Sequence, residues 1–174
     1  NKIKCVFFKG IVVKDSYPIP ELRTMSDIDF LILEEDREIA HKTLCELGAK
    51  CTKNTEPVYM YNLSGVTLEV HTKFAEDIEE EKPKASKLYE DIWDNTEKLN
   101  NFEYIFVPTP QFHILMLLIH TYRHFTGVGC GIRLFIDSSI FYEKYKSEID
   151  TNKLKADIDK IELTDFAKLS FYLN

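Results

Sequence analysis

Two carboxylates, Asp27 and Asp29, stand one residue apart at the start of an apolar run. The run over residues 28–33 is rich in β-branched and aromatic residues and predicts a buried strand. Because alternate side chains of a strand point the same way, Asp27 and Asp29 are expected to share one face. Two like charges this close favour proton uptake, and a divalent cation would relieve their repulsion. Oxygen ligands of this kind suit Mg²⁺ better than zinc.

An Asp-x-Asp pair at a strand edge is, by itself, more often a solvated turn than a metal site. A third carboxylate, Glu69, changes that balance, because it lies in a second predicted strand over residues 66–74. Apolar and polar residues alternate along that segment, so Glu69 and His71 fall on one polar face. The simpler alternative is the solvent-facing side of an antiparallel strand. Three carboxylates from two neighbouring strands are what two-metal phosphoryl transfer needs.

The elements that must position these residues include both strands and helices. Strands are predicted over residues 49–53 and 58–63, with Ser64-Gly65 as a hairpin turn after the second. Residues 100–107 are interpreted as a hairpin arm and residues 76–84 as a charged loop or an exposed helix start. Periodic apolar residues predict helices over residues 34–48, 87–93, 111–125, 132–145, 153–161 and 165–173.

The order of these elements predicts an α/β core over residues 1–108 and a helical region over residues 109–174. The chain has 174 residues, which fits one core with a helical extension. The last predicted helix is apolar and runs directly into the end of the sequence. We therefore expect the helical region to be truncated.

Composition excludes several classes of partner. The formal net charge of −7 argues against a strongly basic nucleic-acid surface, so extended nucleic-acid binding is not indicated. No segment approaches the roughly 18 apolar residues needed to span a bilayer, so no membrane contact is expected. The four cysteines contain no Cys-x-x-Cys pair. They are interpreted as free thiols in a reducing cytoplasm rather than as a disulfide frame or a zinc site.

Three histidines, His113, His120 and His124, fall on one face of the helix predicted over residues 111–125. For His113 we favour a buried structural role. A glycine-rich loop at residues 127–131 follows His120 and His124, which favours a site there, although the loop lacks the Gly-Lys-Ser/Thr of a phosphate loop.

Several motifs along the chain together resemble the uncharacterised nucleotidyltransferase family of the polymerase-beta-like superfamily. The resemblance covers residues 8–140, and the combination of motifs is more specific than any one of them. The matching motifs are Lys9-Gly10, Tyr17-Pro18-x-Pro20-x-x-Arg23-x-x-Ser26-Asp27-Ile28-Asp29, Leu68-Glu69-Val70-His71, His120-x-x-x-His124 and Arg133-x-x-x-Asp137.

The resemblance implies an α+β fold, with a small mixed β-sheet core, flanking helices and a C-terminal helical part. It implies transfer of a nucleoside monophosphate from a nucleoside triphosphate (ATP among the candidates) to a hydroxyl acceptor, with Mg²⁺ as the cofactor and Mn²⁺ as the alternative. The catalytic and metal-binding residues would be Asp27, Asp29 and Glu69. The residues facing the nucleotide would be Lys9, Gly10, Arg23, Ser26, His71, His120 and His124.

The grip on the triphosphate departs from the wider superfamily, in which a Gly-Ser pair usually stands closer to the paired acids. Here Lys9-Gly10 takes that place, before a longer loop with two prolines. The acceptor stays open between an RNA end, a protein, a peptide and a small molecule. Three alternatives to such a transferase also stay open: a toxin-like transferase of a toxin–antitoxin pair, a hydrolase using the same metals, and an inactive module that binds nucleotide or a partner.

Overall fold

A computed structural model describes residues 2–73, 83–127 and 129–172. The chain divides into two compact units. The sheet unit comprises Asn1–Asp15, Ile19–Phe74 and Thr96–Pro108, and the helical unit comprises Ser16–Pro18, Ala75–Asn95 and Thr109–Asn174. The predicted charged segment at residues 76–84 lies almost wholly outside the described residues.

The sheet unit contains one mixed sheet of seven strands, in the order β3-β4-β5-β2-β1-β7-β6. Two pairings are parallel, β2 with β5 and β1 with β7, and the others are antiparallel. This confirms the predicted α+β class with a mixed sheet. The strands are β1 (Cys5–Phe8), β2 (Asp27–Ile32), β3 (Lys50–Thr55), β4 (Val58–Leu63), β5 (Val66–His71), β6 (Thr96–Lys98) and β7 (Ile105–Pro108).

The sheet unit contains one short helix and one of ordinary length. They are α1 (Gly10–Val13) and α2 (Arg37–Glu46), with 3-10 turns at Pro20–Leu22 and Glu34–Asp36. A core of buried side chains packs between α2 and one face of the sheet, and it comprises Ile32, Ala40, Ala49, Tyr59, Tyr61, Leu68 and Val70. Because strand side chains alternate, the odd-numbered residues Asp29 and Glu69 take the opposite face from Leu68 and Val70.

The hairpin between β4 and β5 turns at Ser64 and Gly65, as predicted, and both residues have positive φ, at 52° and 89°. Two left-handed residues in succession are typical of the type I′ turns that suit the twist of a hairpin. The prediction was less accurate for β3, which is exposed along its whole length and ends at Thr55. An exposed strand carries no apolar alternation that would mark its ends.

Other boundaries also differ from the prediction. The arm predicted over residues 100–107 begins as a strand only at Ile105, and its partner is the short strand β6. The helix predicted over residues 87–93 is instead the end of α3 (Pro83–Leu88) followed by a 3-10 helix (Tyr89–Asn95). Terminal turns of helices commonly tighten in this way.

The helical unit is built around α4 (Pro110–Thr126), most of whose residues are buried. Further helices are α5 (Arg133–Tyr145), α6 (Thr151–Lys160) and α7 (Thr164–Tyr172). His113 is fully buried in α4, and its ring meets Phe141 of α5 edge to face at 4.7 Å. Asp137 of α5 is buried and accepts a hydrogen bond of 2.7 Å from the Tyr17 hydroxyl.

Within the described residues, no helix has the length and apolar character needed to cross a membrane. The four cysteines are free thiols: Cys5, Cys45, Cys51 and Cys130.

Candidate active site

Parallel pairing of β2 with β5 brings two of the predicted carboxylates side by side. Asp29 and Glu69 are direct partners across the two strands. His71 follows Glu69 by two residues on the same face of β5, so it joins the pair. One ligand atom from each of Asp29, Glu69 and His71 lies within 4.8 Å of the others. Such a group could hold a metal ion, because two carboxylates and an imidazole are common metal ligands.

Asp29 is buried and accepts two hydrogen bonds at the same oxygen. Lys9 Nζ lies 2.9 Å from Asp29 Oδ1, and His71 Nε2 lies 3.1 Å from it. Since a carboxylate only accepts, the imidazole carries a proton on Nε2 and donates it. Burial alone would raise the pKa of Asp29. The hydrogen bond from His71 and the charge of Lys9 outweigh burial and lower that pKa to about 2.

Glu69 experiences the opposite electrostatic environment. It is only half-buried, and its Oε2 lies 3.9 Å from His71 Nε2. Burial raises the pKa of Glu69, and the negative charge of Asp29 raises it further. Neighbouring carboxyl groups whose pKa values are driven in opposite directions are typical of acid–base sites.

The antiparallel pairing of β1 with β2 positions Lys9. Strands β1 and β2 run antiparallel, with Phe8 paired to Asp29, so Lys9 emerges directly beside that carboxylate. Lys9 has a φ of 55° and a ψ of −131° and caps α1. A residue other than glycine in this backbone region is strained.

Gly10 and Arg23 are in close contact at the start of α1. Arg23 Nη1 lies 2.9 Å from the position that a Cβ on Gly10 would take. The guanidinium therefore lies against the bare backbone of Gly10. An alanine at this position would push the guanidinium aside.

Asp27 and Ser26 stand at the edge of this group. Asp27 is half-buried at the first position of β2, where it pairs with Thr67 rather than with Glu69. Its charge still contributes to raising the pKa of Glu69. Ser26 is exposed just before the strand. The compact cluster is thus Asp29, Glu69 and His71, and the assignment of Asp27, Asp29 and Glu69 as metal ligands stays a prediction.

His120 and His124 lie one turn apart on α4 in the helical unit. Both are half-buried, and their rings meet edge to face with centroids 4.5 Å apart. Their assignment to nucleotide binding stays a prediction.

Two contacts of the site were not predicted. The hydrogen bond from His71 to Asp29 could have been anticipated in part, because the Glu-x-His pattern places the Glu69 and His71 side chains on one strand face. No local sequence pattern indicates the ion pair of Lys9 with Asp29, since that contact depends on the pairing of β1 with β2.

Comparison with known proteins identifies a matching family and solved structures with a similar fold. The family model for uncharacterised nucleotidyltransferases matches residues 1–174. No curated protein matches the sequence. The solution structure of the antibiotic-resistance factor ANT(2'')-Ia is 12% identical, with 98% of this chain and 84% of that chain covered and a TM-score of 0.57. The crystal structure of ANT(2'')-Ia in complex with adenylyl-2''-tobramycin is 10% identical, with coverages of 92% and 87% and a TM-score of 0.61. At these identities the likeness is one of fold.

Proposed function

We propose that this chain, which belongs to the uncharacterised nucleotidyltransferase family, moves a nucleoside monophosphate from a nucleoside triphosphate to a hydroxyl acceptor with the help of Mg²⁺. Membership of that family makes the chain an enzyme that transfers a nucleotidyl group. The metal, the donor, the acceptor and the roles of individual residues are the proposed part.

The observation that carries the proposal is the pairing of Asp29 with Glu69 beside His71, within 4.8 Å. The donor set fits a hard divalent cation, since Asp29 and Glu69 both offer carboxylate oxygens. Asp27 would complete the ligands from the start of β2. A bound metal ion supplies charge compensation for the triphosphate and for the attacking oxygen.

Glu69 is proposed to accept the proton of the acceptor hydroxyl. The pKa of Glu69 is raised towards neutral pH relative to that of an ordinary glutamate, which suits a general base. Asp29, with a pKa of about 2, stays ionised at any physiological pH and is suited to a ligand role. His71 would hold the Asp29 carboxylate in a fixed orientation through its Nε2 proton.

The triphosphate is proposed to lie near Lys9, Gly10, Arg23 and Ser26. Arg23 offers a planar set of donors that matches phosphate oxygens. Because Gly10 has no side chain, the Arg23 guanidinium fills the space beside its backbone. His120 and His124 are kept as proposed nucleotide contacts on the strength of the family resemblance.

The acceptor is proposed to be a hydroxyl on an RNA end, a protein, a peptide or a small molecule. The ANT(2'')-Ia crystal structure contains adenylyl-2''-tobramycin, a small-molecule adduct, which supports screening small polyols first. The net charge of −7 disfavours a long nucleic-acid acceptor. ATP as the donor and the cytoplasm as the location stay predictions.

The first test is a calorimetric titration of ATP, GTP, CTP and UTP with and without Mg²⁺, paired with an assay of pyrophosphate release. We expect at least one nucleotide to bind only with the metal present, because carboxylates and triphosphate repel each other without it. Glu97→Gln is the matched control, since it removes an exposed carboxylate of the same sheet. Failure of every nucleotide to bind would favour an inactive module.

Gly10→Ala is expected to weaken nucleotide binding about tenfold, because the new methyl displaces the Arg23 guanidinium and a charge-assisted contact with phosphate is lost. Stability should stay the same or rise slightly, since alanine favours the first turn of α1. Nucleotide Kd and thermal unfolding are the measurements.

Gly131→Ala is the control for this substitution, because a Cβ there meets no atom within 4 Å. An unchanged Kd in Gly10→Ala would show that Gly10 and Arg23 do not contribute to nucleotide binding. A large loss of stability would instead assign Gly10 a structural role.

A further inference from the structure

We infer that Lys9 is a built-in counter-cation of the metal site. Its ammonium neutralises Asp29 in the metal-free protein and must give up that carboxylate when a divalent cation binds, so Lys9 sets the metal affinity. The inference rests on the proposed function, because it concerns the regulation of the same site.

The contact itself is close and poorly solvated. Lys9 Nζ lies 2.9 Å from Asp29 Oδ1, and the two side chains are only 14% and 5% exposed. Charges at this distance interact far more strongly in such surroundings than in water. The ammonium thus occupies part of the space around the carboxylate that is best suited to a cation. It also offsets the repulsion between Asp29 and the neighbouring Glu69.

The backbone of Lys9 points independently to a role for its side chain. Its φ of 55° and ψ of −131° lie in a region that glycine enters at little cost and other residues do not. The Lys9 carbonyl accepts hydrogen bonds from the amides of Val12 and Val13, at 3.1 and 2.9 Å, so α1 holds this conformation. A glycine would satisfy the backbone, but it could not deliver a positive charge to Asp29.

Two cations therefore compete for one carboxylate. Repulsion between the ammonium and a bound divalent ion lowers the affinity for that ion. An ammonium released from Asp29 is then available to the phosphate oxygens of a nucleotide. Lys9 would in this way favour binding of metal and nucleotide together over binding of metal alone.

The test is a titration of the nucleotide-free protein with Mn²⁺, followed by electron paramagnetic resonance of the free ion. Lys9→Met keeps an unbranched side chain and removes the charge, and we expect it to bind Mn²⁺ at least about tenfold more tightly than wild type. Lys9→Arg should stay close to wild type because it keeps the charge. Lys4→Met, which removes an exposed lysine just before β1, is the control for net charge.

Thermal unfolding gives a second readout. Without metal, Lys9→Met should unfold at a lower temperature than wild type, because Asp29 loses its ion pair. With Mn²⁺ the increase in Tm should be larger than in wild type. A residue with a merely structural role would weaken metal binding when replaced, so the direction of the change in affinity separates the two roles. Lys9→Gln, which keeps a hydrogen-bond donor, repeats the test if Lys9→Met does not fold.

Equal or weaker Mn²⁺ binding by the uncharged variants would overturn the role of Lys9 and leave the proposed transferase intact. Absence of Mn²⁺ binding in the wild type and in every variant would overturn both. Tighter binding in Lys9→Met and Lys9→Gln, with Lys9→Arg and Lys4→Met unchanged, would establish the inference.

Discussion

Asp29→Asn is expected to lower the rate of nucleotidyl transfer by about a thousandfold, which corresponds to roughly 4 kcal/mol of transition-state stabilisation. The substitution keeps the shape of the side chain and removes the charge that a metal ion and Lys9 both require. Asp29 is 4% exposed and belongs to the cluster with Glu69 and His71. The measurements are pyrophosphate release under saturating nucleotide and Mn²⁺ affinity.

Loss of the charge also leaves the Lys9 ammonium buried without its counter-ion, which can destabilise a protein by about 3–5 kcal/mol. The double variant Asp29→Asn/Lys9→Met separates the two effects, since it removes both charges at once. We expect the double variant to recover much of the lost stability and none of the activity. Recovery of activity along with stability would show that Asp29 acts only through the fold.

Glu69→Gln provides a second test of the metal assignment, because Glu69 is half-buried and its substitution leaves the ion pair of Lys9 with Asp29 in place. It should impair transfer with little change in stability. Normal transfer in Asp29→Asn and Glu69→Gln alike would contradict the metal assignment altogether.

The sequence predicts the local parts of this site well. Alternation along residues 66–71 places Glu69 and His71 on one face, and the turn at Ser64 and Gly65 was evident from residue type. These features depend on neighbours within a few positions, so a local pattern is enough to predict them. The apolar character of α4 likewise predicted the burial of His113.

The rest of the site depends on pairings between distant segments. Nothing in the local pattern specifies that β5 lies parallel to β2 with Glu69 opposite Asp29. The same holds for β1 and β2, whose register places Lys9 beside Asp29. Whether Asp27 or Asp29 lies opposite Glu69 is likewise a matter of register, because a shift of about two residues would exchange their partners without changing the face.

His113→Gln is expected to remove most of the acid sensitivity that arises below neutral pH. Burial lowers the pKa of His113 from 6.5 to about 3, so the folded protein keeps the ring neutral while the unfolded chain binds a proton. Stability from this residue is fully present above about pH 6.5 and is lost as the pH falls towards 3. The loss in free energy of unfolding reaches about 3–5 kcal/mol, at about 1.4 kcal/mol for each unit by which the pKa is lowered.

Urea unfolding between about pH 7 and pH 4.5 measures this effect. Glu69 and Asp29 also titrate in acid. The informative quantity is therefore the difference in free energy of unfolding between wild type and variant, in which the contributions of Glu69 and Asp29 cancel. The difference should shrink steadily as the pH falls, since only the wild type carries the buried imidazole. Phe141→Leu is the matched control, because it loosens the same edge-to-face contact and leaves the histidine in place.

The control should lower the free energy of unfolding by a constant amount across the whole pH range. A constant offset for His113→Gln as well would mean that the folded protein protonates His113 as readily as the unfolded chain does. Burial of the ring against Phe141 argues for the opposite, since burial disfavours the charged form of a histidine and lowers its pKa. The helical unit should therefore be the part of the chain that loses stability first in mild acid.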